Sequence, residues 1–243
     1  MQRSAVLFDL DGVISDTASA HAMAWKAIFE EFLGQNYLSS PAIFEPNDYI
    51  SYLDGKARIT GIKSFLESRN ITLSTGQPED EGLDTIHGIG NAKNAFFNDI
   101  LSRCGVHIFD DAIRLIDSLQ ELGLKLGLAS ASKNAKKILV QGGLKDCFQS
   151  IMDGMVAEKY DIKSKPHPDF YLYAAKILGY EPQNCIVLED AISGVISARE
   201  AGIKTVIGIA RQSDGVELRE NGADIIVSSL DELDIEIFSV KMN

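Results

Sequence analysis

The sequence predicts an α/β protein: a parallel sheet covered by helices on both faces, interrupted after its first strand by a helical insertion. Three observations predict it. Near-continuous apolar runs recur at residues 4–10 (SAVLFDL), 124–132 (LKLGLASAS), 185–190 (CIVLED), 204–209 (KTVIGI) and 223–229 (ADIIVSS), the pattern of strands buried on both faces. Beyond about residue 109 these runs alternate with amphipathic stretches of helix length, which reads as crossover units building a parallel sheet. The gap between the first and second runs is far longer than one crossover helix and lacks strong strand signals. The chain therefore divides into an α/β core, residues 1–17 and 99–243, and an inserted helical domain, residues 18–98.

Each element has its own signal. A helix follows the first strand, from about Thr17 to Leu33, with Trp25, Ile28, Phe29 and Phe32 recurring at helical spacing. Residues 34–48 (GQNYLSSPAIFEPND) carry two prolines and polar turn residues and read as a loop. In residues 60–69 (TGIKSFLESR), Thr60 is a candidate N-cap and Ile62, Phe65 and Leu66 share a face. Residues 74–82 (STGQPEDEG) form a second loop, and residues 91–104 (NAKNAFFNDILSRC) an amphipathic helix bearing Phe96, Phe97, Ile100, Leu101 and Cys104. In the core, helices are expected at 110–123, ending on Gly123, at 133–143, at 169–179 behind Pro168, and at 191–202.

Composition narrows the function classes. Hydrophobic residues at 45% and charged residues at 24% of 243 are ordinary for a globular protein. A net charge of −12 argues against a nucleic-acid or anionic-membrane surface, without excluding a local basic pocket for an anionic substrate. Cys104, Cys147 and Cys185 form no C-x-x-C pair, and each is expected to be a small core residue. No apolar stretch approaches the ~18 residues of a membrane helix and no signal segment opens the chain, so a cytoplasmic protein is expected. Nothing in the sequence requires more than a monomer.

In open α/β sheets ligands bind beyond the carboxyl ends of the strands. There the chain places Asp9 and Asp11, then Ser130, Ser132 and Asn134, then Lys163 and Lys165, and finally Glu189 and Asp190. Taken singly each has a bland reading: Lys165 as a surface lysine, Ser130 or Ser132 as a helix cap, Glu189 and Asp190 as a solvated turn. Together they gather four carboxylates at one edge, which would repel one another unless a cation compensates. Oxygen-only ligands suit Mg²⁺, and a carboxylate can also act as a nucleophile toward phosphorus.

The segments FDLDGVISDT, ASASKN, KSKPHPD and LEDAISGV resemble the four motifs of the haloacid dehalogenase superfamily of phosphatases and phosphotransferases. The resemblance covers the whole core and implies a Rossmann-like parallel sheet with an inserted helical-bundle cap. It implies Asp9 as nucleophile, Asp11 as general acid and base, and Ser130 and Lys165 as ligands of the transferring phosphoryl group. It further implies Mg²⁺ held by Asp9, the Asp11 backbone carbonyl and Asp190, with Glu189 assisting. In the insertion, HAMAWKAIF, YLDGKARITGIKSFL and GNAKNAFF resemble the cap of the β-phosphoglucomutase family. That implies His21 and Trp25 lining the site, and Arg58, Lys93, Ser132 and Asn134 meeting the non-transferring phosphate of a phosphorylated sugar.

The bland readings of the insertion residues are a solvated Arg58, a first-turn surface Lys93 and a packing His21. The cap segment from Arg69 to Gly90 is longer than in the smaller phosphoglucomutases and resembles a branch of hydrolases. Three functions follow: a Mg²⁺-dependent mutase interconverting β-glucose 1-phosphate and glucose 6-phosphate, a phosphatase acting on a small sugar phosphate, and a non-catalytic phosphate-binding protein. The Asp9/Asp11 pair counts against the third, because a binding module has no use for a second carboxylate placed as an acid.

Overall fold

The computed structural model describes residues 5–36, 43–45, 47–211 and 213–238. The chain forms two compact units, Met1–Asp16 with Val106–Asn243, and Thr17–Gly105. The second crossing lies past residue 98 because a single unbroken helix runs to Cys104.

The first unit is built on six parallel strands: β1 (Ala5–Phe8), β2 (Lys125–Ala129), β3 (Ser150–Met152), β4 (Cys185–Glu189), β5 (Thr205–Ile209) and β6 (Ile225–Val227). They lie in the order β3-β2-β1-β4-β5-β6. β1 is fully buried and pairs with β2 and β4 in matching register, Phe8 opposite both Leu128 and Leu188. Their carboxyl ends therefore finish level, and the order reverses between β1 and β4, the switch point where such sheets bind ligands.

Alternation sends successive side chains to opposite faces. Ala5, Leu7, Cys185 and Val187 pack on one face against Phe170, Tyr171 and Ala174 of α7 (Asp169–Leu178) and Val195 and Ala198 of α8 (Ile192–Glu200). The remaining core helices are α4 (Asp110–Glu121), α5 (Ala135–Gln141), α6 (Gly154–Lys159) and α9 (Val216–Glu220). β3, α6 and α9 are absent from the sequence reading: each is short, and β3, at an edge of the sheet, has no long apolar run.

The helical unit contains α1 (Ala18–Asn36), a five-residue π-helical turn (Tyr49–Leu53), α2 (Arg58–Ser68) and α3 (Ile86–Cys104). Phe29, Phe32, Phe65, Ile62 and Ile89 form its core, with Phe29 stacked on Phe65 at 3.8 Å between centroids. Much of the loop expected at 34–48, residues 37–42 and 46, lies outside the described residues. Thr60 is not an N-cap: α2 starts at Arg58, two residues earlier, with Ala57 as a cap that makes no side-chain bond. α3 starts earlier than expected and is capped by Thr85, whose hydroxyl accepts from Gly88 N at 3.1 Å.

Two cysteines depart from expectation. Cys104 ends α3 and is exposed, Cys147 is half-buried, and Cys185 alone of the three is buried. No helix among the described residues is long and apolar enough to cross a membrane.

Candidate active site

Asp9 follows β1 directly. Its backbone N–H still donates to Leu188 O at 3.0 Å, so the ladder hydrogen bonding delivers its side chain to the switch point. There Lys165 Nζ, fully buried, donates to Asp9 Oδ1 at 2.7 Å, Glu189 Oε1 at 2.5 Å and the Ala129 carbonyl at 2.9 Å. Burial alone would lower the Lys165 pKa, but the Asp9 and Glu189 carboxylates more than offset it and hold the ammonium above its ordinary value. Lys165 is thus no surface lysine; Lys163 is exposed and lies 3.4 Å from His167 Nε2.

Glu189 is fully occupied with holding. Its Oε1 also accepts from Tyr171 Oη at 2.7 Å and its Oε2 from Ala191 N at 3.2 Å. Its carboxyl presses against the backbone of α8 at Gly194, where an added Cβ would stand 1.9 Å from Oε1. Tyr171 and Gly194 were missed from sequence because each sits inside a helix with no charge pattern to mark it.

The carboxylates of Asp9, Glu189 and Asp190 each offer an oxygen within 4.8 Å of the others. Lys165 bonds two of these three acids, Asp9 and Glu189. Burial first, then the Glu189 and Asp11 charges, push the Asp9 carboxyl well above the usual carboxylate range despite the opposing pull of Lys165. A cluster of oxygen donors, with Asp9 and Glu189 buried and Asp190 half-buried, fits a hard divalent ion. Gly12 belongs to the same construction. Its φ of +81° is left-handed, and an added Cβ would lie 1.8 Å from Asp190 Oδ2, so the turn after β1 closes onto that carboxylate.

Asp11 is half-buried in this turn, which is tied by Gly12 N to Ser15 O at 2.8 Å and by Ile14 N and Ser15 N to Leu10 O. After β2, the fully buried Ser130 accepts from Ser132 N at 3.2 Å, and Ser132 Oγ accepts from Asn134 N at 3.2 Å. Ser130 N donates to Met152 O at 3.0 Å, so the unanticipated β3 fixes this loop.

The helical unit gathers its own cluster. Lys93 is buried on the third turn of α3, its Nζ hydrogen-bonded to His21 Nδ1 and lying 4.9 Å from the Trp25 ring and 4.7 Å from the Phe97 ring. His21 stacks on Phe97 at 4.0 Å. Burial first, then Lys93 and Arg58, hold His21 well below the ordinary histidine value, so it is neutral. Arg58 donates to Asn94 Oδ1 at 2.7 Å, and its stem lies against Gly90, where a Cβ would stand 2.9 Å from Arg58 Cδ. The structure thus brings together His21, Trp25, Arg58 and Lys93, and adds Asn94, Phe97 and Gly90. The long segment before α3 is an ordered loop: Asp80 accepts from Gln77 N and Thr85 Oγ1, and Asn91 Nδ2 donates to Pro78 O and Asp80 O.

A family model described as haloacid dehalogenase-like hydrolase matches residues 4–202. A protein named β-phosphoglucomutase from Mycobacterium tuberculosis is 39% identical over 237 residues, covering 94% of this chain and 90% of its own length. One of the same name from Bacillus subtilis is 32% identical over 234 residues, 96% of this chain and 92% of its own. The crystal structure of a β-phosphoglucomutase from Clostridium difficile is similar with a TM-score of 0.79 and 28% identity, covering 98% of this chain and 96% of that one.

Proposed function

The chain belongs to the haloacid dehalogenase-like hydrolases, and on that premise we propose that it is a sugar phosphomutase converting β-glucose 1-phosphate to glucose 6-phosphate. The observation that carries the reading is a pair of buried cations, Lys165 in the α/β unit and Lys93 in the helical unit. A mutase must hold a bisphosphate at both ends and needs two anion sites; hydrolysis of a monoester needs one. The similarity to β-phosphoglucomutases over nearly the whole chain supports the same reading.

In this mechanism an Asp9 carboxylate oxygen attacks phosphorus, the bond from phosphorus to the sugar oxygen breaks, and Asp11 gives that oxygen a proton. When the attacked ester is the 1-phosphate of glucose 1,6-bisphosphate, glucose 6-phosphate leaves. The aspartyl phosphate then passes its phosphoryl group to the 6-hydroxyl of an incoming β-glucose 1-phosphate, with Asp11 taking that proton and the bisphosphate re-formed. Lys165 and Ser130 bind the non-bridging oxygens, and Lys165 is oriented by Glu189, itself held by Tyr171. Arg58 and Lys93, with Ser132 and Asn134, bind the phosphate that is not transferred. Arg58 supplies a planar fork and Lys93 a point charge held beside neutral His21. Trp25 packs beside Lys93 and keeps it dry. Asp9, the Asp11 carbonyl and Asp190 would hold Mg²⁺, which when bound supplies charge neutralisation for the phosphoryl oxygens.

The test supplies β-glucose 1-phosphate, Mg²⁺ and a trace of glucose 1,6-bisphosphate, and follows glucose 6-phosphate and free phosphate together. Glucose 6-phosphate accumulating far ahead of free phosphate is the expected result. Free phosphate alone would make the protein a phosphatase, with water resolving the aspartyl phosphate.

A further inference from the structure

The turn that carries Asp11 is held from outside by a residue far away in sequence. Arg211, just beyond β5, donates from Nε to Gly12 O at 3.0 Å and from one terminal nitrogen to Val13 O at 3.1 Å. Its remaining contacts clasp Asp111 on both oxygens, at 2.8 and 2.9 Å, and its guanidinium lies 3.8 Å over the Phe109 ring. Asp111 is anchored in turn: Oδ2 also accepts from Ser229 Oγ at 2.7 Å and from Leu230 N at 2.9 Å.

We propose that Arg211, braced by Asp111, is a positioning residue that fixes the backbone of Gly12 and Val13 and thereby aims Asp11 at the leaving oxygen. The inference rests on Asp11 acting as general acid.

The geometry supports this in three ways. The inner side of the turn is satisfied by its own bonds, with Leu10 O accepting from Ile14 N and Ser15 N; the Gly12 and Val13 carbonyls face outward and are taken by Arg211. The clamp is rigid because the guanidinium spends its fork on two carbonyls and one carboxylate at once. A lysine, with one nitrogen, cannot span these partners. The turn also has little tolerance, since Gly12 stands against Asp190 and has no room to move toward it. Misplacement on the order of 1 Å can cost about 100-fold in rate.

The same anchor ties down the chain where it leaves and re-enters the α/β unit. Asp16 N donates to His107 O and Phe109 N to Ile14 O, both near 3 Å, so residues 14–16 and 107–109 form a short paired ribbon flanked by Phe109, Arg211 and Asp111.

The test compares Arg211→Lys and Asp111→Asn with the parent on two substrates: a sugar phosphate, whose poor leaving group needs a proton, and p-nitrophenyl phosphate, whose leaving group does not. Thermal melting first confirms that each variant is folded; the two variants guard against one failing. We expect kcat on the sugar phosphate to fall about 10- to 100-fold with little change in KM, and kcat on p-nitrophenyl phosphate to fall less than about 3-fold. In an Asp11→Ala background, Arg211→Lys should change sugar-phosphate turnover by less than about 2-fold, because the residue acts through Asp11. Equal losses on both substrates, or a full multiplicative loss in the Asp11→Ala background, would overturn the inference and leave Arg211 structural. Full sugar-phosphate activity in Asp11→Ala alone would overturn the reading of Asp11, and this inference with it.

Discussion

Lys165 Nζ stands 2.7 Å from Asp9 Oδ1, a bond between a residue of the first strand's end and one 156 positions later, both buried. The same nitrogen reaches Glu189, so a single ammonium holds together the acids that end β1 and β4. Buried ion pairs of this kind are weak net stabilisers, but removing one partner leaves uncompensated charge.

Lys165→Met should therefore lower stability in metal-free buffer by about 3–5 kcal/mol, read from urea unfolding, and abolish phosphoryl transfer. A variant as stable as the parent would mean the acids are neutralised some other way.

Gly12→Ala places a methyl against Asp190 in a left-handed conformation. Thermal melting across a Mg²⁺ titration should need at least ~10-fold more metal for the same stabilisation than the parent does. An unchanged midpoint would remove Asp190 from the metal site.

Arg58→Ala should cripple the mutase reaction by about 100-fold or more while sparing hydrolysis of small phosphate esters, because it removes the hold on the second phosphate only. If both activities fell alike, Arg58 would be a structural partner of Asn94 and Gly90.

His21 is held neutral, its pKa below the ordinary 6.5, so protonation favours the unfolded chain. Its contribution to stability is complete above about pH 6.5 and is lost as pH falls below that value. Melting temperature measured from pH 7.5 to 5.5 should fall less steeply in His21→Gln than in the parent. Identical slopes would show that His21 does not titrate on unfolding.

Much of the α/β unit was legible because its chemistry is local. Asp9, Asp11, Glu189 and Asp190 lie directly beyond apolar runs that can only be buried strands, and Ser130 and Lys165 follow similar signals. β3 was not legible, since three residues carry no period, yet it fixes Ser130 through Met152 O. The start of α3 was hidden by Gly88 and Gly90, which look like turn residues. The structure explains both: Gly88 passes close to the Gly82 carbonyl and Gly90 makes room for Arg58. With α3 begun at Ile86, Lys93 moves from an exposed first turn to a buried third turn, which sequence periodicity alone did not reveal. Thr60 misled because packing of Ile62, Phe65 and Leu66 governs where α2 begins, not the nearest hydroxyl. Arg211 and Asp111, 100 positions apart, are isolated charges with no pattern; their pairing exists only in the fold.

The central claim is that the phosphoryl group passes through Asp9, and the most direct test is to catch it there. The protein is mixed with Mg²⁺ and glucose 1,6-bisphosphate, quenched in acid, digested and mapped by mass spectrometry. The account predicts one added phosphoryl group on the peptide containing Asp9, absent in Asp9→Asn, which should also lose all turnover. A phosphoryl group on another residue, or turnover persisting in Asp9→Asn, would contradict it.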